Sequence, residues 1–273
     1  EAEPIAKTEN PKKVMVIGGG VAGLCAAFIA KEKGHEVTLY EAGDVLGGNM
    51  RLAAYPPGKG DITNMIRSYI HRCQKDGVKI VMNCEVTPEL IKEEKPDSVI
   101  IATGSKTLIL PIEGIDNPAI IHGSDLLDGK RPAGKKVLVV GGGMVGCETA
   151  AFLGEQEHDV TVIEFRDTVG ADVIHEHRVY LMKDFEDYGI KEITGAKVCK
   201  FYEDGVEYET ADGVRHETRG YDSVILSMGF RNYNPLEEKI KDLVPETHVI
   251  GDAIRARRAL DATKEAYEVA SRL

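Results

Sequence analysis

One glycine-rich phrase occurs twice in this chain, and it dictates most of what the chain can fold into. Val14 to Asp44 reads VMVIGGGVAGLCAAFIAKEKGHEVTLYEAGD, and Val137 to Asp167 reads VLVVGGGMVGCETAAFLGEQEHDVTVIEFRD. With Gly18 set on Gly141, the copies share the valines of the first run, four glycines, Ala27 with Ala150, His35 with His158, a Val-Thr pair, and the Glu and Asp behind it. Each copy opens on a β-branched apolar run (Val14 to Ile17; Val137 to Val140), turns on the glycines and enters an alanine-rich helical stretch. Each then returns in a second apolar run, Val37 to Tyr40 or Val160 to Ile163. Strand, tight turn, helix, strand is the opening of a doubly wound parallel sheet, so the expected fold is α/β with two such units. The first helix is expected to close on Gly34, a left-handed cap. Glu157 takes that place in the second copy, where a different ending is expected.

The rest of the chain fits around the two copies. DVLGGNMRLAAYPPGKGDITNMIRSYIHRCQKDG reads as a loop followed by an amphipathic helix, VKIVMNCEV as a strand, and Ser98 to Gly104 (SVIIATG) as a buried strand ending in small residues. The stretch Pro111 to Gly134, rich in proline and glycine, is expected to link two domains. Ser223 to Gly229 (SVILSMG) resembles SVIIATG, so the exit strand repeats as well. Thr247 to Asp252 (THVIGD) gives one more strand and a Gly-Asp turn with a helix behind it. Too short to stand alone, that piece is expected to return to the first domain. The expected domains are therefore residues 12–126 plus 233–273, with 127–232 inserted between them and 1–11 as a linker remnant. The opening at Glu1 and the uncapped helical pattern at DATKEAYEVASRL suggest a piece of something larger.

Bulk properties narrow the function classes. At 273 residues the chain has room for about two domains, and a net charge of −11 argues against nucleic acid or an anionic membrane surface as partner. No apolar run approaches the roughly 20 residues of a membrane span, and no signal peptide opens the chain, so a cytoplasmic location is the default expectation. Cys25, Cys73, Cys84, Cys147 and Cys199 show no close pairing, which suggests neither a redox disulfide nor a metal site; none is expected. Cys25 and Cys147 fall in the helices after the glycine turns, where small apolar packing is expected.

The spacing of Gly18, Gly20 and Gly23 has a steric meaning. The first permits the tight turn, the second lets the backbone approach a pyrophosphate, and the third lets helix and strand pack closely. Exposed N–H groups and the positive end of the helix then attract a diphosphate. Glu41, at the tip of the second strand, is placed to accept hydrogen bonds from an adenosine ribose. Gly141, Gly143, Gly146 and Glu164 repeat the arrangement, so two Rossmann-like units each suited to a dinucleotide are expected.

GxGxxG with its glutamate, then LGG, ATG, a second GxGxxGxE and a late Gly-Asp together resemble the two-dinucleotide flavoprotein reductases. The resemblance implies that Gly18, Gly20, Gly23, Glu41, Gly48, Ala102, Thr103, Gly104, Gly251 and Asp252 surround FAD, with Asp252 on the ribityl chain. It likewise implies that Gly141, Gly143, Gly146, Glu164 and Gly229 surround the nicotinamide nucleotide, the second domain being inserted into the first. Arg51, after LGG, is open to two roles, the FAD diphosphate or the surface. GGNMRLAAYPPGKGDITNMIRSYI looks like the C-terminal part of the iron–sulfur flavoenzymes that include 2,4-dienoyl-CoA reductase, 2-enoate reductase and old yellow enzyme-type NADH oxidases. In that family an N-terminal barrel carries FMN and a 4Fe-4S cluster. Neither the barrel nor the cluster cysteines occur in this sequence, so the resemblance implies that substrate chemistry happens outside it and that electrons pass to that partner region. Hydride transfer from nicotinamide to flavin would require the rings to stack at about 3–3.5 Å, with no catalytic side chain in this segment.

Glu164 favours NADH, because a carboxylate there bonds a 2′-hydroxyl and repels a 2′-phosphate. Arg166 reads as a surface charge that could still meet such a phosphate. Ser227-Met228-Gly229 departs from the usual Ala-x-Gly. His175 and His177, two residues apart on a helix, point to different faces and read as solvated rather than metal-binding. Asp184, Glu186 and Asp187 read as a wet helical face. Tyr55 and Lys59 could approach the isoalloxazine or simply pack the loop; Glu148 could orient the nicotinamide half or cap backbone amides. Two rival readings are a complete small reductase serving ferredoxin or rubredoxin, and a non-catalytic ADP-binding module.

Overall fold

The structure, a computed structural model, describes residues 5–273, so the first four residues of the expected 1–11 linker lie outside the described residues. In chain order the elements begin β1 (Lys13–Ile17), α1 (Val21–Lys33), β2 (Glu36–Tyr40), α2 (Asp61–Lys75), β3 (Lys79–Val81), α3 (Pro88–Glu94), β4 (Ser98–Ile101) and β5 (Ser105–Thr107). They continue β6 (Ile121–His122), α4 (Gly123–Leu127), β7 (Lys136–Val140), α5 (Met144–Glu155), β8 (Asp159–Ile163), α6 (His175–Asp187), β9 (Lys191–Ile193), β10 (Lys197–Tyr202), β11 (Gly205–Glu209) and β12 (Arg215–Thr218). The last are β13 (Ser223–Leu226), β14 (Phe230–Asn232), α7 (Glu237–Ile240), β15 (Glu246–Val249) and α8 (Ala259–Ala270).

The chain divides into two compact units. The first is the chain up to Ala54, Asp61–Lys106 and Arg231–Leu273; the second is Tyr55–Gly60 and Thr107–Phe230. The second unit thus begins at Thr107 rather than at the expected residue 127. Ile112, Ile115 and Ile120 pack against Leu138 and Phe201, and β6 pairs in parallel with β13, so the proline-rich stretch carries core residues of that unit. Its return falls at Phe230, and it takes in Tyr55–Gly60, which the sequence placed in the first domain.

The first unit is built on a parallel sheet ordered β15-β4-β1-β2-β3. THVIGD returns to this sheet as expected, with Val249 opposite Ile101. Side chains of β1 alternate: Val14 and Val16 join a core with Leu24, Ala27 and Ala266, while Met15 and Ile17 join one with Ile91, Val99 and Ile240. Both faces are therefore covered, which is why β1 reads as a continuous apolar run instead of an alternating one. Helix α1 is buried from Val21 through Ala30, enclosed by the sheet, α2 and α8, with the small residues Ala22, Gly23, Ala26, Ala27 and Ala30 interspersed with Leu24, Phe28 and Ile29. Ile5 packs on this core and Thr8 N–H donates to Lys33 O at 2.8 Å, so the described part of the leader is docked. The strand expected over VKIVMNCEV is cut to β3, because Asn83 adopts φ 54° and its N–H bonds Gly43 O.

The second unit repeats the plan with order β6-β13-β7-β8-β9. Val137 and Val139 face α5 and α6, while Leu138 and Val140 face Phe201 and Val206 of the small antiparallel sheet β10-β11-β12. The two helices after the glycine turns end alike, contrary to the expectation for Glu157. Gly34 has φ 106° and Glu157 φ 64°, and His35 N–H to Ala30 O is matched by His158 N–H to Leu153 O, both at 3.1 Å. The 6→1 bond that closes a helix in this way demands a left-handed residue whatever its side chain.

His35 carries a pH prediction. It is 1% exposed, its Nδ1 accepts from Lys12 N–H at 3.0 Å, and burial, followed by the charges of Lys12 and Lys33, pushes its pKa below the ordinary histidine value. The unfolded chain therefore binds more protons than the folded one below about pH 6.5, and stability falls as pH drops through that point. Urea midpoints at pH 7.5 and 5.5 are expected to differ less in His35→Gln than in the parent. An equal or steeper slope in the variant would remove His35 as the source.

Candidate functional site

In the first unit the expected residues gather at the C-terminal ends of β1, β2, β4 and β15, where the strand order reverses on either side of β1. A crevice at that point is the usual ligand position in an open α/β sheet. Gly18 has φ 107°, and a Cβ there would sit 2.3 Å from Ala102 O, so turn and neighbouring strand both require glycine. Gly20 is different: it caps α1 in extended conformation, no side chain caps the helix, and nothing lies within 4 Å of a Cβ built on it. The open approach to the helix N-terminus is therefore the cradle a diphosphate would fill.

Glu41 is locked beside it. One carboxylate oxygen accepts from Gly19 N–H and the other from Gly43 N–H, each at 2.7 Å. Each oxygen keeps a second lone pair, which suits it to accept from ribose hydroxyls. Gly47 N–H donates to Gly19 O at 2.8 Å, bringing Gly48 (φ 55°) against Gly20, and the stem of Arg51 packs over Gly47. Ala102 is buried, Thr103 Oγ1 donates to Tyr233 O, and Gly104 O accepts from Tyr233 N–H. Gly251 N–H donates to Glu265 Oε2 at 2.7 Å, and Asp252 accepts from Ser105 Oγ and from Arg257 N–H, both at 3.0 Å.

The second unit carries the corresponding arrangement around a cavity of about 600 Å³ lined by Gly141, Gly143, Glu164, Arg166, Asp172 and Gly229 among others. Glu164 accepts from Gly142 N–H at 2.6 Å and from Arg166 N–H at 3.0 Å, as Glu41 does in the first copy. Here α5 is not left open: Asp172 Oδ1 accepts from Met144 N–H at 2.9 Å. Ser227, noted as a departure, is buried, and its Oγ has no hydrogen-bond partner among the described residues.

Three side chains whose roles stood open or read as solvated come together in this unit. Glu148 is 6% exposed, with Lys59 Nζ in ion-pair contact and His177 Nε2 at 3.2 Å from the same oxygen. Glu148 therefore holds side chains, not backbone amides, and His177 is turned to a buried carboxylate while His175 is exposed. The ring of Tyr55 meets Phe152 edge-on at 6.4 Å. Removing one member of a buried ion pair leaves a stranded charge. Lys59→Met is expected to cost about 2–3 kcal/mol in urea unfolding, less than a fully enclosed pair because His177 remains, and Lys59→Met with Glu148→Leu to recover most of it. A double variant no better than the single one would refute the pairing.

All five cysteines are free; burial pushes the thiols of Cys25 and Cys147 up to about 12, which leaves them as packing groups. No group of metal-binding side chains occurs among the described residues, and no described helix is long and apolar enough to cross a membrane. Glu186 and Asp187 are exposed on α6, Asp187 paired with Lys183, whereas Asp184 of the same expected wet face is half-buried, and burial pushes its carboxyl above the ordinary value.

Two parallel α/β units, each with a glycine cradle and a glutamate locked to it, define the two-dinucleotide-binding flavoprotein fold. The chain belongs to the pyridine nucleotide-disulphide oxidoreductase family, whose profile matches residues 12–250. It is 34% identical over 270 residues to a bilirubin reductase of Mediterraneibacter gnavus, covering 98% of this chain and 42% of that one. It is 33% identical over 272 residues to a cinnamate reductase of Clostridium sporogenes, covering 98% and 40%. A solved 2-naphthoyl-CoA reductase complex superposes with a TM-score of 0.93 at 32% identity, over 98% of this chain and 41% of that one. The chain thus spans about two-fifths of the length of each of these three relatives.

Proposed function

We propose that this chain is the NADH-oxidising, FAD-carrying segment of a longer reductase, binding FAD in the first unit and NADH in the second. The observation that carries this reading is the matched pair of cradles, each a glycine turn at a helix N-terminus with a carboxylate fixed by two backbone amides. When bound, the nicotinamide supplies a hydride and the flavin accepts it, chemistry that belongs to the cofactors. The protein's part is position and electrostatics. Gly18, Gly20, Gly23 and Gly48 shape the diphosphate cradle, Glu41 takes the adenosine ribose, and Ala102, Thr103, Gly104, Gly251 and Asp252 form the floor beside the remainder of FAD; Arg51 stands next to that cradle. Gly141, Gly143, Gly146 and Gly229 do the same for the second nucleotide. Glu164, with its carboxylate already aimed by Gly142 and Arg166 amides, selects a 2′-hydroxyl over a 2′-phosphate.

Delivery of the electrons to FMN and a 4Fe-4S cluster in an N-terminal enoate reductase-type barrel of the same polypeptide is the further part of the proposal. Its support is the two-fifths coverage of relatives named for cinnamate and 2-naphthoyl-CoA reduction, and the AAYPPGK stretch that resembles that family. A visible spectrum of the purified chain after incubation with FAD tests the core of it. Retained flavin absorption that NADH bleaches under argon is expected. A chain that stays colourless with FAD supports the ADP-binding module instead, and faster bleaching by NADPH than by NADH overturns the choice of donor.

A further inference from the structure

The internal repeat extends further than its glycine turns. Leu46-Gly47-Gly48-Asn49 in the first copy corresponds to Val169-Gly170-Ala171-Asp172 in the second. The structural match is close. Gly47 N–H donates to Gly19 O at 2.8 Å and Gly170 N–H to Gly142 O at 2.7 Å. Leu46 fills the space over Gly19 as Val169 does over Gly142. The residue that follows differs in charge and in what it does. Asn49 is neutral and donates its amide to Ser105 O and Oγ at 3.3 and 3.2 Å, leaving the turn at Gly20 clear. Asp172 brings a carboxylate to the second turn: Oδ1 takes the first amide of α5, and Oδ2 lies 3.3 Å from where a Cβ of Gly143 would be. A carboxylate on that amide uses the same donor and the same helix-end field that a diphosphate would use.

We propose that Asp172 is a built-in competitor for the diphosphate of the nicotinamide nucleotide, and that the strap Val169–Val173 must give up the Met144 amide for the nucleotide to seat. The proposal rests on the second unit being the nicotinamide nucleotide site. The strap is suited to the exchange. Its two ends are held, with Val169 and Val173 buried and Arg178 donating to Thr168 Oγ1 at 2.9 Å and Val169 O at 3.1 Å, while Asp172 between them is exposed, so its side chain has solvent to turn into. The first cradle, with Asn49 turned to Ser105, carries no such competitor. A ligand that must displace an in-chain partner binds more weakly by the cost of that displacement.

The test is calorimetric titration of NADH, and of adenosine as a probe without a diphosphate, into the parent chain, Asp172→Asn and Asp172→Ala. Asparagine keeps a side-chain acceptor for Met144 without the charge, which guards against a variant that fails only by losing its helix cap. NADH is expected to bind about 10-fold more tightly to both variants, with adenosine unchanged and FAD content equal to the parent. Equal or weaker NADH binding in both variants, with the parent still binding it, overturns the competitor role and leaves the site reading intact. Absence of NADH binding in all three chains overturns both.

Discussion

Gly20→Ala is expected to leave the chain folded and to strip it of FAD. A Cβ on Gly20 meets nothing within 4 Å, and the residue already holds an extended conformation open to alanine, with φ −74° and ψ −177°. The folded chain therefore loses only the difference between glycine and alanine as a helix N-cap, about 1 kcal/mol. The same methyl group stands where the diphosphate must approach the first amides of α1. Backbone contact with a pyrophosphate tolerates no side chain at the second glycine of this pattern. A loss of FAD affinity of about 100-fold, equal to about 2.8 kcal/mol, is expected. Flavin absorbance retained on the chain after gel filtration, read beside the urea midpoint, separates the two effects. If Gly20→Ala keeps its flavin, the diphosphate does not lie over this turn, and the assignment of the first unit falls with it.

How far the site was legible follows from which interactions are local. The glycine turns, the strands around them and the two glutamates could be read directly, because a tight turn, a close helix and a residue one strand further on obey steric rules that act over short stretches. The return of Glu246–Val249 to the first sheet was legible for a different reason: four strand residues and a Gly-Asp turn cannot bury their own faces. What composition alone obscured was the unit boundary. Proline and glycine mark loops, not domain edges, and the signal missed was the apolar set Ile112, Ile115, Ile120 and Ile121 inside that loop. The Lys59–Glu148–His177 group was out of reach, since Lys59 and Glu148 are 89 residues apart and no periodicity joins them. Asp172 lay within reach. Carrying the alignment of the repeat past Asp167 sets it against Asn49, and a charge facing a neutral residue at one structural position is the kind of difference a duplication exposes.

The third glycine of each turn makes the opposite prediction to Gly20. A Cβ on Gly23 would lie 1.9 Å from Gly18 O, and one on Gly146 would lie 1.8 Å from Gly141 O. Neither contact can be relieved by a side chain, because both involve backbone oxygens of a turn that is itself pinned. Gly18 N–H bonds Tyr40 O at 2.8 Å and Gly141 N–H bonds Ile163 O at 2.9 Å, tying each turn to the neighbouring strand. To admit the methyl group, α1 would have to lift from β1 by about 1 Å along a face whose residues Val21 through Ala30 are all buried. Overpacking of that kind is expected to cost about 3 kcal/mol or more in each case. The two variants differ in what they take with them. Gly23→Ala is expected to lose FAD along with stability, whereas Gly146→Ala destabilises the second unit and weakens NADH binding while flavin content stays near the parent's. Gly20→Ala serves as the control, since it adds the same methyl group three residues away to a position with room. A Gly23→Ala chain that unfolds at the parent's urea midpoint would mean that α1 does not rest on the turn in this way, and the close helix-to-strand contact on which both cradles depend would have to be abandoned.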